Sequence, residues 1–177
     1  GFFNENLFIE MAAFKIDALD EIIPFELPDL PGRTFYRNAG TSFRKGFEFG
    51  LNSRLSKGLQ MSMAYTYSDF SYGKYQTKSG IFDGNSLPAI PKMLLYGELS
   101  YFHISGIYGM IQLQYTGDIY ADDANTVKEN AYQLMHMRFG YKKYYSNLMI
   151  EPFIGLNNLL NTSYNSNIRM NAWGGRY

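Results

Sequence analysis

Ionisable side chains in this 177-residue chain recur at alternate positions of otherwise apolar runs. Arg44, Glu48 and Arg54 share one parity of a first run, and Glu98, His136, Arg138 and Glu151 stand on the polar parity of later ones. In an enclosed interior such residues could contact a ligand or another domain, or bond to one another as a wall. The wall is the preferred reading, because a wide hydrated interior lets charges pair or stay wet at modest cost. His136 could ligate a metal or haem, but a lone His without a partner ligand reads as one more wall residue. Asp122, Asp123, Asn125 and Glu129 form an oxygen-rich stretch able in principle to hold a divalent cation. Their spacing fits no defined cation loop, so a solvated connector is the simpler expectation. Tyr36, Arg37, Tyr72, Tyr75, Tyr120 and Tyr132 cluster where runs meet long connectors. They read as a mouth for a bulky anion, with Arg supplying forked donors and Tyr flat surface, or as an interfacial aromatic girdle. No nucleophile, acid–base pair or phosphate loop stands out, so no catalytic residue and no cofactor is assigned.

The elements that carry these residues follow from period-two alternation. In Leu59-Gln60-Met61-Ser62-Met63-Ala64-Tyr65-Thr66-Tyr67-Ser68 one parity is Leu, Met, Met, Tyr, Tyr and the other Gln, Ser, Ala, Thr, Ser. Successive strand side chains point to opposite faces, so this segment has one oily face and one small polar face. The same pattern predicts strands over residues 7–17, 35–55, 59–72, 92–103, 108–120, 132–143 and 148–160. The first is ambiguous, since Leu7, Ile9, Met11 and Ala13 compete with Phe8, Phe14 and Ile16 for the oily face. Pro152 lies inside the last and predicts a bulge or bend, because proline donates nothing to a ladder.

Connectors alternate in length. Ser56-Lys57-Gly58, Ile104-Ser105-Gly106 and Tyr144-Tyr145-Ser146 read as tight turns, while 18–34, 71–90, 121–131 and the stretch from 163 are long and polar. Folding at the short turns sets Glu48 opposite Thr66, sets Glu98 opposite Gln112, and brings Arg138 close to Glu151. Short turns at one rim and long loops at the other describe a transmembrane β-barrel, with lipid outside and water or a plug inside.

Composition fits. Aromatics make up 18% of the chain, which suits strands and interfacial girdles. A formal net charge of zero gives no reason to expect nucleic acid. The absence of cysteine excludes disulfide scaffolds, thiolate metal sites and cysteine nucleophiles. No apolar stretch is long enough for a membrane helix. The slightly negative mean hydropathy does not argue against a spanning barrel, whose strands show only half their residues to lipid.

Four segments resemble the TonB-dependent outer-membrane receptors in family order. They are Tyr36-Arg37-Asn38-Ala39-Gly40-Thr41-Ser42 with Arg44-Lys45-Gly46-Phe47-Glu48; Tyr65-Thr66-Tyr67-Ser68-Asp69-Phe70; Asn85-Ser86-Leu87-Pro88-Ala89-Ile90-Pro91; and Gly155-Leu156-Asn157-Asn158-Leu159-Leu160-Asn161-Thr162-Ser163-Tyr164. The resemblance implies an all-β antiparallel meander of about seven long strands within a barrel of about 22. Residues 1–177 then read as one partial domain, the C-terminal third of the barrel without plug, TonB-binding segment or closing strand. It further implies a Gram-negative outer membrane, with lipid, lipopolysaccharide, the receptor's own plug, TonB and a metal chelate or similar nutrient as partners. The mouth residues would catch the chelate, and the inward charges would line the lumen or touch the plug. Two alternatives stay open. One is a small complete barrel of about eight strands with a structural or adhesive role. The other is a barrel hydrolase using His136, which needs a Ser or Asp nearby on the same rim.

Overall fold

The computed structural model describes residues 2–3, 6–26, 33–38, 40–77, 80–167 and 170–172. Seven strands build one antiparallel sheet: β1 (Leu7–Leu19), β2 (Thr41–Ser56), β3 (Leu59–Tyr72), β4 (Met93–Phe102), β5 (Ile107–Thr116), β6 (Tyr132–Tyr141) and β7 (Phe153–Leu156). They pair in chain order, with the two-residue strand Phe2–Phe3 beside β1, and there is no helix among the described residues.

Alternation sets the register. Met63 stands between Leu51 and Gly97, and Tyr65 between Phe49 and Leu95, so their rows continue across β2, β3 and β4. On the other face Ser62 stands between Asn52 and Glu98. A slip of one residue would exchange the two faces completely. The same ladder resolves β1: Ile9 opposes Leu51 and Met11 opposes Phe49, which sends Phe8, Phe14 and Ile16 to the polar face. The expected pairs Glu48 with Thr66 and Glu98 with Gln112 are direct register partners.

Two glycines on the polar face make room for aromatic rings. A Cβ on Gly46 would lie 2.4 Å from the Phe14 ring, and one on Gly140 would lie 2.5 Å from Tyr108. Phe14 in turn meets Phe70 edge-on at 6.0 Å. Two of the short turns form as expected, and the third lies further along, because Tyr144 and Tyr145 are strand residues. Gly58 takes φ +82 between Ser56 and Leu59, and Gly106 takes φ +100 before Ile107. In the third, Ser146 takes φ 48 and the turn is Ser146-Asn147, closed by Tyr145 opposite Leu148.

Three expected strands are interrupted. The run 35–55 divides at Gly40, whose φ is +75 and whose Cβ would sit 2.0 Å from the Lys74 carbonyl oxygen. Above that break Ile22–Glu26 pairs with Thr34–Asn38 in continuation of the β1–β2 hairpin, so much of the connector expected at 18–34 is strand. The run 108–120 stops at Thr116, and Ile119–Tyr120 turns away to pair with Lys128–Glu129. The seventh run is split at Glu151-Pro152 into Leu148–Ile150 and β7. No bulge forms there. Lys143 opposite Ile150 and Gly140 opposite Phe153 lie on one diagonal, and the Pro152 carbonyl still accepts from Tyr141 N at 3.0 Å. Only the missing proline N–H is lost to the ladder. The one register shift in the seven-stranded sheet lies at Leu55, between Arg54 and Ser56.

The buried cluster is not under the sheet. It consists of Tyr72, Tyr75 and Leu87, with Phe70, Phe82 and Ile90 packed on it, at the long-connector rim. The oily rows stay uncovered: Ile154 is 68% exposed and Phe139 48%. Above the oily row of β3 stands a charged row. Lys15 opposes Lys45, Lys45 opposes Asp69 and bonds it at 3.1 Å, and Asp17 bonds Lys15 at 3.4 Å. From Tyr67 down to Leu59 is about 27 Å along an antiparallel strand. A tilt of about 40° leaves about 21 Å of height, close to the apolar belt of an outer-membrane barrel.

A charge on the oily face of such a belt costs about 2–4 kcal/mol near mid-membrane, and far less toward a lumen. Met63→Arg is therefore expected to block assembly of the intact protein into membranes, while Ser62→Arg assembles nearly normally. Heat-modifiable mobility of the two variants in membrane fractions measures this; equal assembly would contradict the assignment of faces.

Candidate functional site

Three polar groupings stand on the polar face, and a fourth joins the long connectors. At mid-height Glu98 accepts from Tyr96 Oη at 2.7 Å and from Gln112 Nε2 at 2.8 Å, both on the same carboxylate oxygen. Cross-strand register makes the second bond: β5 sets Gln112 directly opposite Glu98. The same row continues through Gln112 to His136, whose Nδ1 lies 3.2 Å from Asn157 Oδ1 and 3.4 Å from the Asn158 amide. One tautomer donates to Asn157 and the other accepts from Asn158. Among the described residues the hydrogen-bond contacts of His136 are these two, with a side-chain amide and a backbone amide. Among the described residues no group of three or more His, Cys, Asp or Glu side chains could hold a metal ion.

Nearer the short turns, Glu151 gathers three donors. Tyr108 Oη donates at 2.8 Å, Lys142 Nζ lies at 3.5 Å and Arg138 Nη2 at 3.8 Å. Arg138 also lies over the Phe153 ring at 3.8 Å from its centroid. Arg138 does come near Glu151 as expected, but its register partner is Gly155; the turn at Ser146-Asn147 sets Lys142 across from Glu151 instead, and Gly140 makes the room that the Tyr108 ring fills. A shallow hollow of about 280 Å³ lies beside this grouping, bordered by Met110, Gln112, His136, Arg138 and Phe153. Toward the opposite rim Arg44 pairs with Glu21, to which the Ser42 hydroxyl also donates, and its guanidinium lies 5.9 Å from the Phe70 ring. Glu21 carries no period signal in the sequence, since it sits in the interruption between β1 and Ile22–Glu26. Glu48 stands across from Thr66, and Arg54 across from Gln60 with its amide donating to Asn6 O at 2.8 Å.

The mouth residues divide. Tyr36 is 69% exposed on the tall ribbon, and the Arg37 side chain lies outside the described residues. Tyr132 stacks on Tyr164 at 4.7 Å, and Lys128 Nζ lies 5.9 Å from the Tyr120 ring. Tyr72 and Tyr75 are turned inward instead, 3% and 1% exposed, and both hydroxyls donate to Asp123, at 2.8 and 3.1 Å. Asp122 closes its own loop, accepting from the Thr126 hydroxyl at 2.6 Å and the Val127 amide at 2.8 Å. Asn158, with φ 50, takes both backbone groups of Thr162 at 2.9 and 3.0 Å, which gives the Asn157-Asn158 motif a structural purpose.

Two carboxylates of the 117–131 connector titrate low. The Lys128 ammonium, 2.7 Å away, holds Asp118 below its ordinary value. Burial pushes Asp122 up, but the hydrogen bonds from Thr126 and Val127 outweigh it and leave that carboxyl low as well. A lowered folded-state value stabilises the loop above the ordinary carboxylate value of 3.8, and the contribution disappears as pH falls through the lowered one. A nitroxide on Ala124→Cys in the intact protein should keep one mobility from neutral pH to about pH 4, then loosen with further acidification. Unchanged spectra down to about pH 2 would contradict this role for the two aspartates.

Residues 2–159 match the family model described as TonB dependent receptor-like, beta-barrel. A curated relative, the probable TonB-dependent siderophore receptor PiuA of Acinetobacter baumannii, is 28% identical over 140 residues, 74% of this chain and 18% of its own length. The crystal structure of the siderophore receptor PiuA from A. baumannii superposes with a TM-score of 0.71 at 24% identity, over 92% of this chain and 23% of that one. The ferric yersiniabactin uptake receptor FyuA from Yersinia pestis superposes with a TM-score of 0.73 at 16% identity, over 98% and 26%. The chain thus spans about a fifth to a quarter of the length of these relatives, which are receptors and not enzymes. A seven-stranded meander with one oily and one polar face, matched by the family model over nearly its whole described length, belongs to the TonB-dependent receptor-like β-barrel family.

Proposed function

We propose that residues 1–177 are the C-terminal part of the barrel of an outer-membrane receptor that imports a scarce nutrient, an iron–siderophore complex first among the candidates, with energy delivered through TonB. The observation that carries the reading is the pairing of an uncovered oily face of membrane height with a hydrogen-bonded polar face, in a chain of this family. The siderophore receptors among its relatives support the choice of ligand class. The location is then the outer membrane of a Gram-negative cell.

On this reading lipid covers the Leu59, Met61 and Met63 row. Lys15 and Lys45, opposed at the upper margin of the belt, support contact with the phosphates of lipopolysaccharide. Glu98, His136, Arg138 and Glu151 line the lumen with Arg44, Glu48 and Arg54, and meet the plug of the same receptor. Tyr36, Arg37, Tyr120 and Tyr132 serve the mouth directly, while Tyr72 and Tyr75 serve it by holding connectors in place.

Deletion of the intact gene is expected to impair growth under iron limitation on at least one ferric chelate of a panel, with uptake of radiolabelled iron from that chelate reduced. Uptake from every chelate at the parental rate would remove the iron version of the proposal.

A further inference from the structure

The connectors 73–92 and 117–131 join different pairs of strands, yet they share one polar hub. Asp123 receives Tyr72 and Tyr75 hydroxyls with its carboxylate, and its backbone carbonyl receives Asn85 Nδ2 at 2.9 Å. Asn125 then clasps Ser86 by both backbone groups, accepting from its amide at 2.8 Å and donating to its carbonyl at 2.9 Å. A third tie runs from the Ala89 amide to the Tyr120 carbonyl at 2.8 Å. Tyr75, Tyr72 and Leu87 are buried around these bonds. Backbone φ values of 56 at Asn125 and 65 at Ala89 hold both sides in shapes that only a fixed surrounding sustains in non-glycine residues.

We infer that the two connectors are one cooperative unit organised on Asp123, so that any rearrangement of the mouth moves both together or neither. The reason is energetic. Asp123 is half-buried, but the two tyrosines that donate to it are buried, so departure of the 117–131 connector takes the acceptor from two buried hydroxyls, and a polar group stranded there costs more than the bond it made. Local opening in proteins runs in contiguous cooperative units, and the hub makes two separate connectors contiguous. The inference does not depend on which ligand is carried.

Hydrogen–deuterium exchange on the intact receptor in detergent, without ligand, tests it. In the parental protein the slowest amides of 82–90 and of 117–127 should open with protection factors agreeing within about threefold, since one event exposes both. Asp123→Ala should speed exchange about tenfold or more in both segments, and Asn125→Ala should do the same to a smaller extent. Asp122→Ala removes bonds internal to one connector, yet it should speed the slowest amides of both segments alike, since they open as one. Protection differing by more than about tenfold in the parental protein, or Asp123→Ala loosening 117–127 alone, would overturn the single unit. The parental measurement decides the matter even if a variant fails to assemble.

Discussion

Every element described here depends on an unbroken ladder whose residues alternate between two solvents. Backbone N–H and C=O groups in hydrocarbon have no water to turn to, so strands must satisfy one another. That requirement fixes the neighbours of each strand. Alternation fixes the facing, because a ladder can be shifted by two residues without exchanging its faces but never by one. The sheet meets both conditions from β1 to β6 over long registers, with a shift at Leu55 beside the short turn. Among the described residues the outer members of the sheet are Phe2–Phe3 and β7.

Interruptions fall where the ladder leaves the oily belt or can tolerate a missing donor. Gly40 breaks the tall hairpin above the charged row of Lys15, Lys45 and Asp69. Thr116 ends β5 so that Ile119–Tyr120 can build a loop ribbon. Pro152 sits toward the short-turn rim, where its carbonyl keeps the bond that its nitrogen cannot make. The interruptions at Gly40 and Thr116 free backbone for the long connectors, whose buried tyrosines form the compact part of the molecule.

How much of this was legible from residues alone differs by layer. From β2 to β5 facing and register were, because a period of two over ten or more residues admits few alternatives and the opposition of Glu98 and Gln112 follows from one turn position; after β6 the register was not, since the turn lies at Ser146-Asn147 and Arg138 opposes Gly155. The parity of β1 was not, since Phe14 and Ile16 are as apolar as Met11 and Ala13. Only the partner strand, with glycine at 46, shows why a large ring sits among polar neighbours. The hub was half visible. Asp122, Asp123 and Asn125 stood out as oxygen-rich, but nothing in their spacing tells that two tyrosines about fifty residues earlier are their partners. Long-range side-chain pairing between loops leaves no period to read.

The glycine beneath Phe14 and the one beneath Tyr108 carry a consequence for how this wall can drift over generations. Each pair is a single volume divided unequally between two strands. A larger residue at 46 or 140 would evict its ring, and a smaller one at 14 or 108 would open a void beside the lumen. Substitutions at 140 and 108 should therefore arrive in couples, a bulky gain on one strand matched by a trimmed side chain on its neighbour, whereas at 46 the Tyr67 carbonyl oxygen, 2.6 Å from an added Cβ, holds the glycine whatever stands at 14. Adjacent positions that show no such nesting are free to vary singly.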